Sequence, residues 1–150
     1  MIRVLVVEDE PAIAALVQAV LAKAGHEVEA VLSGEEAIRR IEKQCYDVLL
    51  VDKQLPGVNG MAVIETGRLL HPEVAAILMT AHPEALRGQS LRLDGYLAKP
   101  FRHIQDVAVA VNDAVERRKA TRQREQMELQ LAETVRDLRP TTNPSNTPKT

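Results

Sequence analysis

Hydrophobic residues recur along the chain in five short runs, and each run is followed by a segment with the sequence signals of a helix. The runs are Ile2–Val7, Glu27–Leu32, Asp47–Val51, Ala75–Met79 and Gly95–Leu97. The first, third and fourth are almost continuously aliphatic. Such runs are typical of strands that are buried on both faces, as in a parallel sheet covered by helices.

The segments between the runs carry start and stop signals for helices. Pro11 stands where a first helical turn begins, and Gly25 ends that segment. Ser33–Glu36 has the pattern of a capping box, and a further helical segment opens at Asn59 and closes before Pro72. The alternation predicts an α/β domain with a doubly wound parallel sheet and right-handed crossovers.

We predict that this domain spans residues 1–119 and that a helical extension follows at residues 120–139. The extension contains neither Gly nor Pro, so the last helix should run from Arg102 to Leu138. Six residues of this extension are spaced alternately by four and three positions, as along the seam of a short coiled coil: Ala120, Arg124, Met127, Leu131, Thr134 and Leu138. We therefore expect the distal half of the last helix to mediate self-association, as a homodimer through the C-terminal helix, or docking of a partner; a linker to a further domain is the alternative. Residues 140–150 offer no aliphatic or aromatic side chain for burial and are predicted to be disordered.

Composition narrows the range of functions. Hydrophobic residues make up 45% of the chain but aromatic residues only 2%, so aliphatic side chains must form the core. The net charge of -2 creates no field that would attract nucleic acid or an anionic membrane, and no apolar stretch is long enough to span a bilayer. Cys45 is the only cysteine, which excludes a disulfide framework and favours a reducing, cytoplasmic location.

One segment of the chain is rich in basic residues, and such clusters can bind nucleic acid. Glutamates flank or follow it, so we interpret it as a solvated helix face rather than a nucleic-acid site. The cluster consists of Arg117, Arg118, Lys119, Arg122 and Arg124.

Residues with reactive or charged side chains stand where four of the predicted strands end. Ligands of open parallel sheets bind outside the carboxyl ends of the strands. These ends carry Glu8-Asp9, Asp52, Thr80-Ala81 and Lys99-Pro100. Three carboxylates, one hydroxyl and one ammonium are thus predicted to converge on one edge.

Such a set of groups suits a phosphoryl-binding site. Three neighbouring carboxylates repel one another unless a cation neutralises them, and hard oxygen ligands in an open site favour Mg²⁺. An aspartate can accept a phosphoryl group. A lysine and a hydroxyl could then hold the remaining charge and the phosphoryl oxygens.

Four segments together resemble the landmarks of response-regulator receiver domains. They are VLVVEDE at 4–10, DVLLVDKQLPGVNG at 47–60, ILMTA at 77–81 and GYLAKPF at 95–101. The resemblance covers about Ile2 to Lys119, with the segments in the family's order and approximate spacing. It implies a flavodoxin-like fold of five parallel strands in the order 2-1-3-4-5 with five helices.

The resemblance also implies a role for each strand-end residue. It makes Asp52 the phosphoacceptor and places Mg²⁺ at Glu8, Asp9, Asp52 and the backbone carbonyl of Gln54. It implies a phosphate-binding and switch set of Thr80, Ala81, Tyr96 and Lys99, in which Thr80 is the switch hydroxyl, Tyr96 the switch aromatic and Lys99 the phosphate-pairing ammonium. It further implies a cis peptide bond between Lys99 and Pro100.

This chain departs from the family pattern in two places. The stretch from Thr80 to Lys99 is a few residues shorter than usual, so we expect the fourth helix to be short or irregular. Lys53 follows the acceptor directly and His82 lies two residues past Thr80. Positions near these control the access of water to the phosphoryl group, so the lifetime of the phosphorylated state is not predicted.

The expected function is that of a signalling switch. A histidine kinase or a phosphotransfer protein donates the phosphoryl group, and contacts with a downstream protein change. We recognise no DNA-binding or catalytic output domain in the sequence. A fragment of a longer regulator, whose next domain follows the last helix, is the alternative interpretation. We expect no enzymatic activity beyond self-catalysed phosphotransfer and autodephosphorylation.

Three alternative functions are each disfavoured by particular residues. A phosphohydrolase of the haloacid dehalogenase type would carry a second aspartate two residues after the nucleophile, where this chain has Gln54. A flavin-binding flavodoxin-like module would need a phosphate-binding loop after the first strand, where Glu8, Asp9 and Glu10 would repel phosphate. A pseudo-receiver that only binds a partner is disfavoured by the intact acidic set.

Overall fold

The computed structural model describes residues 1–86 and 93–138. Its strands are β1 (Arg3–Val7), β2 (Glu27–Val31), β3 (Val48–Asp52), β4 (Ala75–Thr80) and β5 (Gly95–Ala98). Its α-helices are α1 (Pro11–Lys23), α2 (Gly34–Lys43), α3 (Gly60–Leu70) and α4 (Gln105–Leu138). Each strand begins and ends within one residue of the hydrophobic run that predicted it.

The five strands form one parallel sheet in the order β2-β1-β3-β4-β5. The three central strands are buried almost completely, which explains their aliphatic sequences. The predicted fold class and strand order are therefore confirmed, and so is the long C-terminal helix.

Alternate residues of the central strands face opposite sides of the sheet and build two hydrophobic clusters. One cluster joins Leu5, Leu49 and Leu78 to α2 and α3, and the other joins Val6 and Leu50 to α1 and the first part of α4. Helices thus cover both faces of the sheet. This arrangement leaves the carboxyl ends of the strands as the edge where polar groups can gather.

The predicted helix starts are confirmed by capping contacts. The Ser33 hydroxyl accepts a hydrogen bond of 3.2 Å from the backbone N–H of Glu36 at the start of α2. The Asn59 side chain accepts one of 2.9 Å from the N–H of Ala62 at the start of α3. Both contacts satisfy N–H groups that a first helical turn leaves without a partner.

The last helix begins at Gln105, three residues later than predicted. Hydrogen bonds from Asp106 N–H to the His103 carbonyl and from Val107 N–H to the Ile104 carbonyl make its first turn a tight one. The chain divides into two compact units, Met1–Lys119 and Ala120–Thr150. The predicted disordered tail lies outside the described residues.

Arg118 corrects our interpretation of the basic cluster as a solvated helix face. Its side chain is only 6% exposed and donates hydrogen bonds to the backbone carbonyl of Pro72. The neighbouring Arg117 donates one of 3.1 Å to the carbonyl of Asp94. Both carbonyls belong to loops that lead into strands, and the sequence around the arginines gives no sign that such distant acceptors lie within reach.

The segment between Thr80 and Lys99 contains a short 3₁₀ helix at Pro83–Leu86. Residues 87–92, where the remainder of the expected short fourth helix would fall, lie outside the described residues. Among the helices that the structure describes, none is long and apolar enough to cross a membrane.

Candidate functional site

Polar residues from four strands meet at the carboxyl edge of the sheet. Glu8 directly follows β1, Asp52 ends β3, Thr80 ends β4 and Lys99 directly follows β5. The parallel register aligns these ends, since Asp52 pairs with Met79 and Thr80 pairs with Ala98. The structure therefore brings together the residues that the sequence placed at one edge.

Three carboxylates form the centre of the site. Glu8, Asp9 and Asp52 each offer a carboxylate oxygen, and these oxygens lie within 4.8 Å of one another. Glu8 is fully buried and Asp52 is 6% exposed, whereas Asp9 is exposed to solvent. The group is thus open to solvent through Asp9 and closed beneath by the sheet.

Lys99 supplies the positive charge that contacts these carboxylates. Its ammonium donates hydrogen bonds of 3.0 Å to Glu8 Oε2 and of 3.0 Å to Asp52 Oδ2. Burial acts to lower the pKa of Lys99, but the hydrogen bonds and negative charges of Glu8 and Asp52 outweigh burial and raise it. The peptide bond that joins Lys99 to Pro100 is cis.

The negative groups of the site outnumber its positive ones, and the environment of Glu8 disfavours its charged form. Burial raises the pKa of Glu8 to about 7, the hydrogen bond from Lys99 opposes this rise, and the charge of Asp52 adds to it. One ammonium faces three carboxylates. All the donor atoms are oxygens, and the site opens to solvent at Asp9, so the donor set fits a small hard cation such as Mg²⁺.

Asp52 is held in a fixed orientation from both sides. Its Oδ1 accepts a hydrogen bond of 3.1 Å from the backbone N–H of Gln54, while Oδ2 contacts Lys99. Gly60, the first residue of α3, lies so close behind that a Cβ added to it would stand 2.2 Å from the Asp52 carbonyl oxygen. Only glycine allows α3 to begin this near to the site.

The residues of the predicted switch set lie in different surroundings. Thr80 is 4% exposed, and its hydroxyl accepts a hydrogen bond of 3.0 Å from the backbone N–H of His82. Ala81 is exposed and follows Thr80 directly. Tyr96 is 59% exposed on β5, the edge strand of the sheet. The His82 side chain contacts Glu84 at 3.2 Å and stands in solvent.

Sequence reasoning missed one contact near the site. Glu35, in the first turn of α2, accepts a hydrogen bond of 2.9 Å from the backbone N–H of Val58, in the loop that follows Asp52. The Pro56-Gly57 pair signals a turn in this loop, but no local pattern indicates that a residue 23 positions earlier holds it.

Comparison with known proteins places this chain in a family. Residues 4–112 match the model of the response regulator receiver domain. The transcriptional regulatory protein DltR of Streptococcus agalactiae is 36% identical over 102 residues, which cover 66% of this chain and 46% of DltR. The sensor protein GacS of Pseudomonas syringae is 36% identical over 107 residues, which cover 66% of this chain and 12% of GacS. The alignments thus span less than half the length of either relative.

A solved structure supports the same relationship. The response regulator protein TrrA of Thermotoga maritima, in complex with Mg²⁺-BeF, is 31% identical and aligns with a TM-score of 0.68. The alignment covers 76% of this chain and 99% of TrrA. The fold, the strand order and the sequence similarity agree, and the chain belongs to the family of response regulator receiver domains, whose general function in two-component signal transduction is phosphotransfer to an aspartate.

Proposed function

We propose that Asp52 accepts a phosphoryl group from a histidine kinase or a phosphotransfer protein, and that its phosphorylation changes the contacts of this chain with a downstream protein. One observation carries the proposal: the Asp52 carboxylate ends the central strand, contacts Lys99 at 3.0 Å and lies within 4.8 Å of the Glu8 and Asp9 oxygens. This is the arrangement that a phosphoryl acceptor with a cation beside it requires.

The transfer is a substitution at phosphorus. A carboxylate oxygen of Asp52 forms a bond to phosphorus while the P–N bond to the donor imidazole breaks, and the imidazole leaves with the electron pair and then takes up a proton. Lys99, which now contacts Asp52, can donate a hydrogen bond to a phosphoryl oxygen. The N–H of Gln54 holds the acceptor carboxylate in place during the transfer.

We propose that Glu8, Asp9, Asp52 and the backbone carbonyl of Gln54 hold Mg²⁺. When bound, the ion supplies the positive charge that the carboxylates and the phosphoryl oxygens need. The complex of TrrA with Mg²⁺-BeF supports this choice of cation.

We propose that Thr80 and Tyr96 transmit the change. The Thr80 hydroxyl at present accepts a hydrogen bond from His82 N–H, and it retains a proton that it can donate to a phosphoryl oxygen. Movement of Thr80 and Ala81 toward the phosphoryl group would free space near β5, so that the exposed Tyr96 ring turns inward. The surface near β5 then differs between the two states.

Phosphorylation by acetyl phosphate tests the proposal. Intact-mass measurement should show one added phosphoryl group on the wild type in the presence of Mg²⁺ and none on Asp52→Asn. Asp106→Asn, an exposed aspartate in the first turn of α4, is the matched control and should gain the group normally. One phosphoryl group on Asp52→Asn would assign the acceptor elsewhere and overturn the proposal.

We propose further that a second copy of this chain docks on the distal part of α4. Four apolar side chains of this segment are 48% to 76% exposed and follow one another at spacings of three or four residues, which places them on one face: Met127, Leu131, Val135 and Leu138. Arg124 lies on this face and Glu128 at its edge, and the two carry opposite charges, so the same surface on a second copy offers complementary partners.

A further inference from the structure

The loop that joins β3 to α3 is fixed to the rest of the domain at several points. At its start, the N–H of Lys53 donates a hydrogen bond of 2.9 Å to the carbonyl of Met79 in β4. Leu55, in its middle, is only 8% exposed and belongs to the hydrophobic core. Gln54 lies between these two anchors, and its N–H orients Asp52.

Glu35 of α2 holds the far part of this loop. Its carboxylate accepts a hydrogen bond of 2.9 Å from the N–H of Val58. Gly57, the preceding residue, has a φ of +74°, and a Cβ added there would stand 2.4 Å from Glu35 Oε1. The carboxylate therefore contacts the backbone of the loop closely, and the glycine allows it to do so.

The charge of Glu35 makes this contact stronger than an ordinary backbone hydrogen bond. The hydrogen bond from the Val58 backbone lowers the pKa of Glu35, so its carboxylate is charged at neutral pH. Glu35 also lies in the first turn of α2, where the helix dipole favours negative charge. Hydrogen bonds to a charged acceptor are about twice as strong as those between neutral groups.

We propose that Glu35 is a positioning residue for the metal pocket: by holding the β3–α3 loop at Val58, it fixes the direction of the Gln54 backbone carbonyl. The inference rests on the proposed function, in which that carbonyl is a metal ligand. A carbonyl of the main chain has no side-chain torsions of its own, so the conformation of its loop alone sets its direction. Groups that orient metal ligands in this way contribute strongly to metal affinity.

The affinity for Mg²⁺, measured by titration of the full chain, tests this role. We expect Glu35→Ala to weaken Mg²⁺ binding about 10-fold, at the lower end of the range for residues that support metal ligands. Glu35→Gln keeps an oxygen that can accept the Val58 hydrogen bond but lacks the charge that strengthens it, so it should recover part of this loss. Glu42→Ala removes an exposed carboxylate from the same helix and should leave the affinity unchanged.

A substitution on the loop side tests the same contact. Gly57→Ala introduces a Cβ against Glu35 and should also weaken Mg²⁺ binding. Gly25→Ala is its matched control, because Gly25 has a similar φ of +93° but nothing within 4 Å of its added Cβ. Both alanines strain the backbone, and only Gly57→Ala should change the metal affinity. The double variant that combines Gly57→Ala with Glu35→Ala should lose little more Mg²⁺ affinity than either single variant, because both substitutions break the same contact.

The amide NMR spectrum of the metal-free protein is a second readout, and failure of the positioning role can be distinguished from failure of the proposed function. The amide NMR signals of Gln54 and Leu55 should shift in Glu35→Ala and not in Glu42→Ala. The positioning role is wrong if wild type binds Mg²⁺, Asp9→Ala weakens that binding, and Glu35→Ala behaves like Glu42→Ala in both measurements. If instead the wild type itself binds no Mg²⁺ at these carboxylates, the proposed function fails, and the inference that rests on it fails with it.

Discussion

The Lys99 ammonium lies 3.0 Å from the Asp52 carboxylate, although 47 residues separate the two in the chain. The same ammonium also contacts Glu8 at 3.0 Å, so one positive charge serves two buried carboxylates. Asp9 adds a third negative charge nearby. Without a bound cation, we therefore expect repulsion among these carboxylates to destabilise the folded protein.

Removal of one of these charges should stabilise the metal-free domain. We expect Asp52→Asn to raise the melting temperature in a buffer that contains EDTA by a few degrees, equivalent to about 1 kcal/mol for a domain of this size. Asparagine can still accept the hydrogen bond from Gln54 N–H, and Lys99 keeps its contact with Glu8. Mg²⁺ should then stabilise the wild type more than the variant.

Asp113→Asn, an exposed position on α4, is the control for the loss of a surface charge and should leave the melting temperature unchanged. A lower melting temperature for Asp52→Asn in metal-free buffer would mean that its contact with Lys99 outweighs the repulsion.

Thr80→Ala should separate acceptance of the phosphoryl group from the response to it. The variant keeps Asp52, Lys99 and the carboxylates, so acetyl phosphate should still add one phosphoryl group in an intact-mass measurement. Without the hydroxyl, however, the side chain at position 80 cannot donate a hydrogen bond to a phosphoryl oxygen. The amide signal of Tyr96 should therefore hardly move on phosphorylation. Thr80→Ser restores the hydroxyl and should restore most of the response. A full Tyr96 response in Thr80→Ala would contradict the coupling.

The sequence predicted the strands because the signal for them is local. Residues such as Val48–Asp52 must be almost wholly aliphatic to be buried on both faces, and polar residues must mark the strand ends. The caps at Ser33 and Asn59 are also local, since a side chain bonds an N–H three residues later. The arrangement of the strand ends followed from the parallel sheet alone.

Contacts between distant segments could not be predicted in the same way. Arg118 looked solvated because its sequence neighbours are charged, yet it reaches the carbonyl of Pro72, 46 residues away. Glu35 resembled an ordinary first-turn acid, and only the folded loop shows that it accepts the Val58 hydrogen bond. In both pairs one partner is a backbone group, which leaves no mark on the sequence.

A hydrogen bond between Tyr46 and Glu29, away from the site, should make part of the free energy of unfolding depend on pH. The Tyr46 hydroxyl donates a hydrogen bond to Glu29, and this bond is the largest cause of the lowered pKa of Glu29. A carboxyl group whose pKa in the folded state lies below its usual 4.5 stabilises the protein above that value, and the stabilisation is lost as the pH falls through the lowered pKa.

Tyr46→Phe should therefore lower the free energy of unfolding at pH 7 by about 1 kcal/mol, and the difference from wild type should shrink in acid. Urea unfolding across a pH series measures this. Tyr96→Phe makes the same substitution at an exposed position and should show no such dependence. If the free energy of unfolding of Tyr46→Phe stays below that of wild type by the same amount in acid, the loss comes from packing rather than from the charged hydrogen bond.

The distal part of α4 offers a test of self-association within the full chain. Leu131 is 64% exposed and lies on the same face as Met127, Val135 and Leu138, whereas Leu129 is 65% exposed on the opposite side of the helix. We expect light scattering at high concentration to give a dimer mass for wild type. Leu131→Glu should reduce it to the monomer mass, because a charge would have to be buried between two copies.

Leu129→Glu is the matched control, since it makes the same change in the same segment and should leave the dimer intact. The comparison also separates docking from helix formation, because both variants place glutamate in the same part of α4 and have equal effects on helix propensity. Equal monomer masses for wild type and both variants would show that no second copy docks there. A dimer that both substitutions disrupt equally would place the interface on a broader surface than this face.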